Sequence, residues 1–335
     1  MKSVDFDPNN PGQVGCILGE PNEVYHAHSA ISHSKLSEFI RRPAYYKGKY
    51  LDKVIDVGST DALRVGSAAH CLILEGKEEF LRQYVVQDEE LGWRKAVDKM
   101  DACAKLNSYL NDPVSEEVLE EEVFPMRKDE ILAYFDARPG RQTLTTKQAQ
   151  EVAQAEISVN LNPLAVQLLS GGMSEVTFRS EVVPHLGYAV QCRPDKLNLE
   201  GCELTDGEPY CVDLKSIAQL PQWNSQFWKR GYHRAYPFYE KTMKLAVGHQ
   251  ISKRWFWVVF EKEYPFECFV YGPSPEVYLR GEAELNHAMP MLTNSLHHDD
   301  FRDEGHDRVN LAKIPDWMLE APTKPGFWVE EFNHE

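Results

Sequence analysis

The stretch "YCVDLKSI", residues 210–217, sets an acid and a base two positions apart inside an apolar run. Tyr210, Cys211, Val212, Leu214 and Ile217 read as a buried strand. Residues i and i+2 of a strand project from one face, so Asp213 and Lys215 point the same way. Burying an ionised group is costly unless it is paired or bound to a metal. The pair is therefore either a strand-edge ion pair or the mark of a site.

The neighbouring stretches favour a site. "SEVTFRSEVV" (174–183) and "GYAVQCRPDKLNL" (187–199) both alternate, and turn residues separate them from each other and from 210–217. Three antiparallel strands are expected, with Asp195 near the middle of the second and adjacent to the third. Two carboxylates converging on one point suit a hard divalent cation. A lysine beside that cation can orient or deprotonate a water while the metal stabilises charge on a phosphoryl oxygen.

Helical patterns flank these strands. Residues 1–25 are rich in Pro, Asn and Gly and read as an irregular arm. A helix follows within 29–51, capped by Ser32 or Ser34, apolar at Leu36, Phe39 and Ile40, and stopped by Pro43. A longer helix is expected at about 60–84, and 88–160 is largely helical and acidic. Residues 162–172 hold a short helix opened by Pro163 and closed by glycine. Residues 220–248 read as one long helix, and 254–272 as two strands joined tightly at "EKEYP". The whole reads as one α/β domain: an arm and helix at 1–58, a helical region at 59–175, a sheet and helix at 176–275, and a C-terminal helix and tail at 276–335.

Composition narrows the class. Hydrophobic residues make up 42% and charged residues 26% of the 335, ordinary for a soluble globular protein. Nothing approaches ~18 consecutive apolar residues, so no membrane span is expected, and "MKSVDFDPNN" lacks a signal-peptide core. The cytoplasm is the expected compartment. The seven cysteines form no C-x-x-C pair and read as reduced thiols rather than zinc or cluster ligands. A formal net charge of −16 argues against coating nucleic acid by bulk attraction, though not against a local basic channel. "SLHHDDFRDEGHD" (295–307) reads as a polar surface loop rather than a second metal cluster, and "EEVLEEEVF" as a solvated helix face.

The spacing Pro194-Asp195, then Asp213-Leu214-Lys215, resembles the P-D…(D/E)-x-K signature of the PD-(D/E)XK nuclease superfamily. More closely, the chain is similar to the exonuclease VIII (RecE-type) branch of phages and prophages. Each motif is weak alone; their shared order is the signal. "YHAHSAISHSKLSEFIRRPAYY" matches that branch's opening and "LRVGSAAHCLILEG" its G-x-x-x-H helix. "RPD" and "VDLKS" match its metal strands, "GYHRAYPFY" the next helix, "FEKEYPFECFVY" the closing hairpin, and "IPDWM" a segment near the end.

The resemblance implies roles. His70, Asp195 and Asp213 would hold Mg²⁺, with Mn²⁺ able to substitute, and the Leu214 carbonyl would complete the shell. Lys215 would act on the attacking water. Glu181 would be a further ligand or water-orienting carboxylate, although solvent exposure is as good a reading of it. Gly66, one turn before His70, would let substrate or a strand approach; Arg64, Arg234 and Tyr239 would contact DNA. The partners implied are double-stranded DNA ends, a single-strand annealing recombinase and further copies of the chain in a homo-oligomer. The family's Q-x-x-x-Y is broken here, because Ala235 stands four residues before Tyr239. Two readings stay open: an exodeoxyribonuclease that resects linear duplexes, or a weakened relative that binds DNA ends or a protein partner.

Overall fold

A computed structural model describes residues 2–10, 12–55, 58, 60–87, 142–252, 254–303 and 306. Its strands are β1 (Ser3–Asp5), β2 (Gly15–Leu18), β3 (Tyr84–Gln87), β4 (Gln142–Thr145), β5 (Met173–Ser174), β6 (Thr177–Arg179), β7 (Gln191–Cys192), β8 (Lys196–Asn198), β9 (Tyr210–Ile217), β10 (Arg254–Glu261) and β11 (Cys268–Tyr271). The helices used below are α1 (His33–Arg41), α2 (Asp61–Leu74), α3 (Thr146–Leu161), α4 (Trp223–Arg230), α5 (Ala235–Val247) and α6 (Pro275–His298).

The "YCVDLKSI" strand is the middle of the larger sheet, ordered β11-β10-β9-β8-β5. It pairs in parallel with β10 along its whole length, from Tyr210 opposite Arg254 to Ile217 opposite Glu261. A parallel partner requires a crossover, which α4 and α5 supply. Strand alternation then divides the core. Cys211, Ile217, Trp255, Trp257 and Val259 face a cluster that includes Leu36 and Phe39 of α1, Phe238 of α5 and Leu285 of α6. Tyr210, Val212, Leu214, Val258 and Phe260 face the other way, against Val65 and Ala68 of α2 and Val152 of α3. Covered on both faces, β9 reads as a nearly continuous apolar run. Asp213 and Lys215 are its two charged interruptions, on the α5 side.

A smaller sheet, β1-β2-β6-β7, stands beside the larger one, and β3 pairs with β4 in parallel. The N-terminal arm is therefore not irregular: Ser3–Asp5 and Gly15–Leu18 are strands. Cys16 and Ile17 are buried, and buried Glu20 accepts from Arg179 at 2.8 Å and Arg193 at 3.1 Å. These partners lie some 160 residues away along the chain, and the arm's own composition carries no trace of them.

Two expected helices are broken at glycines. Gly76, at φ +90, separates α2 from a second helix, Lys77–Gln83. Gly231, at φ +72, ends α4, and a 3₁₀ turn at Tyr232–Arg234 leads into α5. That left-handed backbone favours glycine, and a Cβ on Gly231 would also displace the Arg234 guanidinium, which lies 1.8 Å from its place. Ser32 caps α1, accepting from the Lys35 N–H at 3.3 Å. Pro43 does not merely stop that helix; it opens another, Pro43–Tyr46. Residues 295–298, read as loop, complete α6. The acidic stretch 88–141 and "IPDWM" lie outside the described residues. Among those described, no helix is long and apolar enough to cross a membrane.

Candidate active site

One hairpin passes between the two sheets, and the site lies at its bend. β6 pairs with β7 in the smaller sheet, whereas β5 pairs with β8 in the larger. The break falls at Glu175–Val176 on one arm and Arg193–Asp195 on the other, so Asp195 stands at a fork rather than mid-strand. Glu175 adopts φ +52, uncommon for a residue with a side chain, and its N–H approaches the Asp195 carbonyl at 3.3 Å. β8 accompanies β9 only along Tyr210–Val212. Beyond that point the Leu214 N–H donates instead to Asp195 Oδ2 at 2.6 Å. A buried N–H needs an acceptor, and here a carboxylate serves where a strand has turned away.

Side chains from three elements meet at that opening. Lys215 Nζ donates to Asp213 Oδ1 at 2.5 Å and to the Leu214 carbonyl at 3.1 Å, with Asp195 Oδ2 at 3.9 Å. His70 arrives on α2 from the opposite face of the sheet, its Nδ1 3.7 Å from Asp195 Oδ2. One ligand atom each from His70, Glu175 and Asp195 lie within 4.8 Å of one another. At Gly66 on the same helix a Cβ would stand 3.9 Å from Ser216 Oγ on β9, an ordinary contact, so the packing of α2 on β9 does not itself require glycine there.

The electrostatics are those of crowded acids. Burial pushes the Asp213 carboxyl up to about 6 against the pull of Lys215, with Asp195 adding to the rise. Burial likewise raises Asp195. Glu175 is pushed up to about 8 by burial and then by the nearby Asp195 charge. Burial and then Lys215 lower His70 to about 4, so its imidazole is neutral and able to ligate. For Lys215 burial acts downward, but Asp213 and Asp195 outweigh it and hold the ammonium protonated. The Glu175 and Asp195 carboxylates and the neutral His70 imidazole form a donor set that fits a hard divalent cation; Asp213 and the Leu214 carbonyl, both accepting from Lys215, adjoin it.

Not every expected residue comes here. Glu181 is exposed on the segment after β6, and Glu175 supplies the third carboxylate instead. Both lie in "SEVTFRSEVV"; what selects Glu175 is the bend, which strand alternation does not reveal. Arg234 is buried, its Nη1 2.7 Å from Glu284 Oε2, and is not a free DNA contact. Arg64 is half-buried and pairs with Asp61 at 3.3 Å. Tyr239 is half-buried beside Trp255, ring centroids 5.0 Å apart. Burial, Tyr25 and the Asp213 and Asp195 charges raise its hydroxyl well above the ordinary range. Ala235 is buried at the first turn of α5.

A search of curated proteins gives no match. Among solved structures, a "Putative exonuclease" from Eubacterium rectale aligns with a TM-score of 0.51 and 14% identity, covering 91% of this chain and 99% of its own. That likeness is one of fold. A family profile described as "PDDEXK-like domain of unknown function (DUF3799)" matches residues 32–303, which include the bend, β9 and α2. The chain therefore belongs to this PDDEXK-like family and is a member of the PD-(D/E)XK superfamily.

Proposed function

We propose that the protein is a metal-dependent nuclease, more narrowly an exodeoxyribonuclease that degrades linear duplex DNA from its ends with Mg²⁺. The observation that carries this reading is the meeting of His70, Glu175, Asp195, Asp213 and Lys215 where β8 leaves β9. His70, Glu175, Asp195 and Asp213 would hold the cation, with the Leu214 carbonyl beside them. A divalent cation there supplies charge neutralisation at a phosphoryl oxygen and an acidified water. Lys215 is held protonated and so delivers positive charge toward the attacked phosphate, a preorganised electrostatic contribution. Asp213 fixes that ammonium at 2.5 Å, and His70 stays neutral, keeping a nitrogen lone pair for ligation. Resection of this kind would feed a single-strand annealing recombinase, and the RecE-type resemblance also implies a homo-oligomer.

The weakened-relative reading draws on a specific observation. Ala235 replaces the expected Gln, and Arg234 is tied to Glu284, so two expected DNA contacts are missing. Incubating the full chain with Mg²⁺ and either linear or covalently closed duplex DNA tests both readings. Release of nucleotides from the linear form alone supports the exonuclease. Rapid cutting of closed circles points to an endonuclease. Binding of DNA ends without any release supports the weakened relative.

A further inference from the structure

The Lys215 ammonium sits at the end of a flexible four-carbon stem, yet its proposed task needs the charge at one place beside the acidic cluster. Asp213 Oδ1 and the Leu214 carbonyl accept two of its protons, at 2.5 Å and 3.1 Å. Its next neighbour is an aromatic face. Lys215 Nζ lies over the ring of Tyr232, 5.6 Å from the centroid, within the range at which a ring quadrupole attracts a cation. The lysine side chain is still 22% exposed, so the ammonium is gripped without being sealed from solvent.

The ring itself is held from several sides. It stacks on Trp223 of α4 at 5.6 Å, and Phe227 packs on it at 6.4 Å with the planes 67° apart. Its backbone belongs to the 3₁₀ turn Tyr232–Arg234, which is fastened to two further helices. His33 Nε2 of α1 donates to the Gly231 carbonyl at 3.1 Å. Glu284 of α6 accepts from Arg234 at 2.7 Å and pairs with His233 at 2.8 Å. α6 also comes close to the turn through Gly281, where a Cβ would stand 2.1 Å from the His233 carbonyl oxygen. Buried Arg234 thus serves the site at one remove, by fixing the turn that carries Tyr232.

We propose that Tyr232 is the positioning residue of Lys215, its ring face keeping the ammonium at the acidic cluster where a phosphate would be attacked. The proposal rests on the nuclease reading above and deepens it. Asp195 and Asp213 stand at the metal site, and charge that they give to a cation is charge not given to the ammonium. An aromatic face attracts the ammonium whether or not those carboxylates are otherwise engaged. The ring therefore matters most when the site is loaded.

The test uses the full chain with Mg²⁺ and linear duplex DNA. Tyr232→Leu should lower kcat for nucleotide release about tenfold, the order of one partly desolvated cation–π contact, and change KM less than about twofold. Tyr232→Phe keeps the ring and should restore most of the rate. A second series holds the shape nearly constant: phenylalanines with increasing ring fluorination at position 232 withdraw π density stepwise and should lower kcat stepwise. Independently of activity, the metal-free chain is labelled with ¹³C at lysine Cε and read by NMR, Lys215→Met identifying the signal. The Lys215 ε-methylene should lie upfield under the ring, move in Tyr232→Leu and stay in Tyr232→Phe. Melting temperature serves as the folding control. A signal unmoved in Tyr232→Leu, or a kcat flat across the fluorinated series, overturns the proposal. If the unmutated chain releases no nucleotides, the nuclease reading falls; a signal that moves in Tyr232→Leu alone then still upholds the hold of Tyr232 on Lys215.

Discussion

Glu175 and Glu181 lie six residues apart in one alternating stretch, and only Glu175 is turned into the acidic cluster. Its left-handed backbone at φ +52 brings its carboxyl among His70 and Asp195. If Glu175 is a ligand, Glu175→Gln should weaken Mg²⁺ or Mn²⁺ binding by at least about tenfold, whereas Glu181→Gln should change it less than about twofold. Calorimetry on the two variants decides between them, and equal losses would return Glu181 to consideration. The same cluster sets a pH dependence. Asp213 and Glu175 carry folded pKa values raised to about 6 and about 8. In the metal-free protein, the stability tied to their neutral forms is present below the ordinary carboxylate range. It is lost as pH rises through those two values. A cation requires the ionised forms, so its affinity should climb between about pH 5.5 and about pH 8.5. The gain in melting temperature on adding Mg²⁺ should widen over the same interval. An affinity flat across it would exclude these carboxylates as ligands.

At the scale of the element, the site depends on a hairpin that changes sheets. Gly172, at φ +66, precedes the bend, and a Cβ there would stand 2.5 Å from the Leu197 carbonyl oxygen of β8. Gly187, at φ +78, occupies the turn of the same hairpin, with nothing within 4 Å of its missing Cβ. Gly187→Ala should therefore cost about 1 kcal/mol, the conformational term alone. Gly172→Ala adds a backbone clash and should cost roughly 3 kcal/mol or more. Denaturant unfolding of both separates strain from collision, and similar losses would mean that β8 yields easily. This hairpin also marks the limit of what the sequence discloses. The β9 strand is legible because eight consecutive residues carry an apolar run with two charges on one face. The neighbouring alternations are legible as strands, but alternation persists through a bend and cannot say which sheet each half joins. Hence Asp195 reads as mid-strand and Glu175 goes unnoticed. The breaks at Gly76 and Gly231 are hidden for a related reason: helical periodicity on both sides masks a single left-handed residue. Arg234 reads as a surface cation because its acceptor, Glu284, lies 50 residues away.

At the scale of the whole molecule, charge opposes the proposed substrate. The chain carries a formal net charge of −16, and its acidic cluster sits where a phosphate is proposed to pass. Without a cation, Asp213, with Asp195 beside it, would repel DNA above about pH 6, and Glu175 would join them above about pH 8; Lys215 offsets them locally. Repulsion of this kind reaches ~30 Å at 0.01 M salt but only ~8 Å at 0.15 M. The cation then has two separable tasks, admitting the backbone and assisting its cleavage. Asp213→Asn separates them, because it removes one negative charge and keeps the shape. Metal-free Asp213→Asn should bind duplex ends more tightly than the metal-free wild type, by about tenfold for a phosphate close to a partly buried charge. The advantage should shrink as salt rises from about 0.01 M to about 0.15 M. The variant should nevertheless release no nucleotides with Mg²⁺, since an amide holds a cation poorly and leaves Lys215 less firmly placed. Fluorescence anisotropy without metal, at both salt concentrations, measures the first effect, and nucleotide release measures the second. If Asp213→Asn binds no better than the wild type at low salt, the DNA backbone does not pass against this carboxylate. The cluster would then hold its cation for some purpose other than meeting a phosphate.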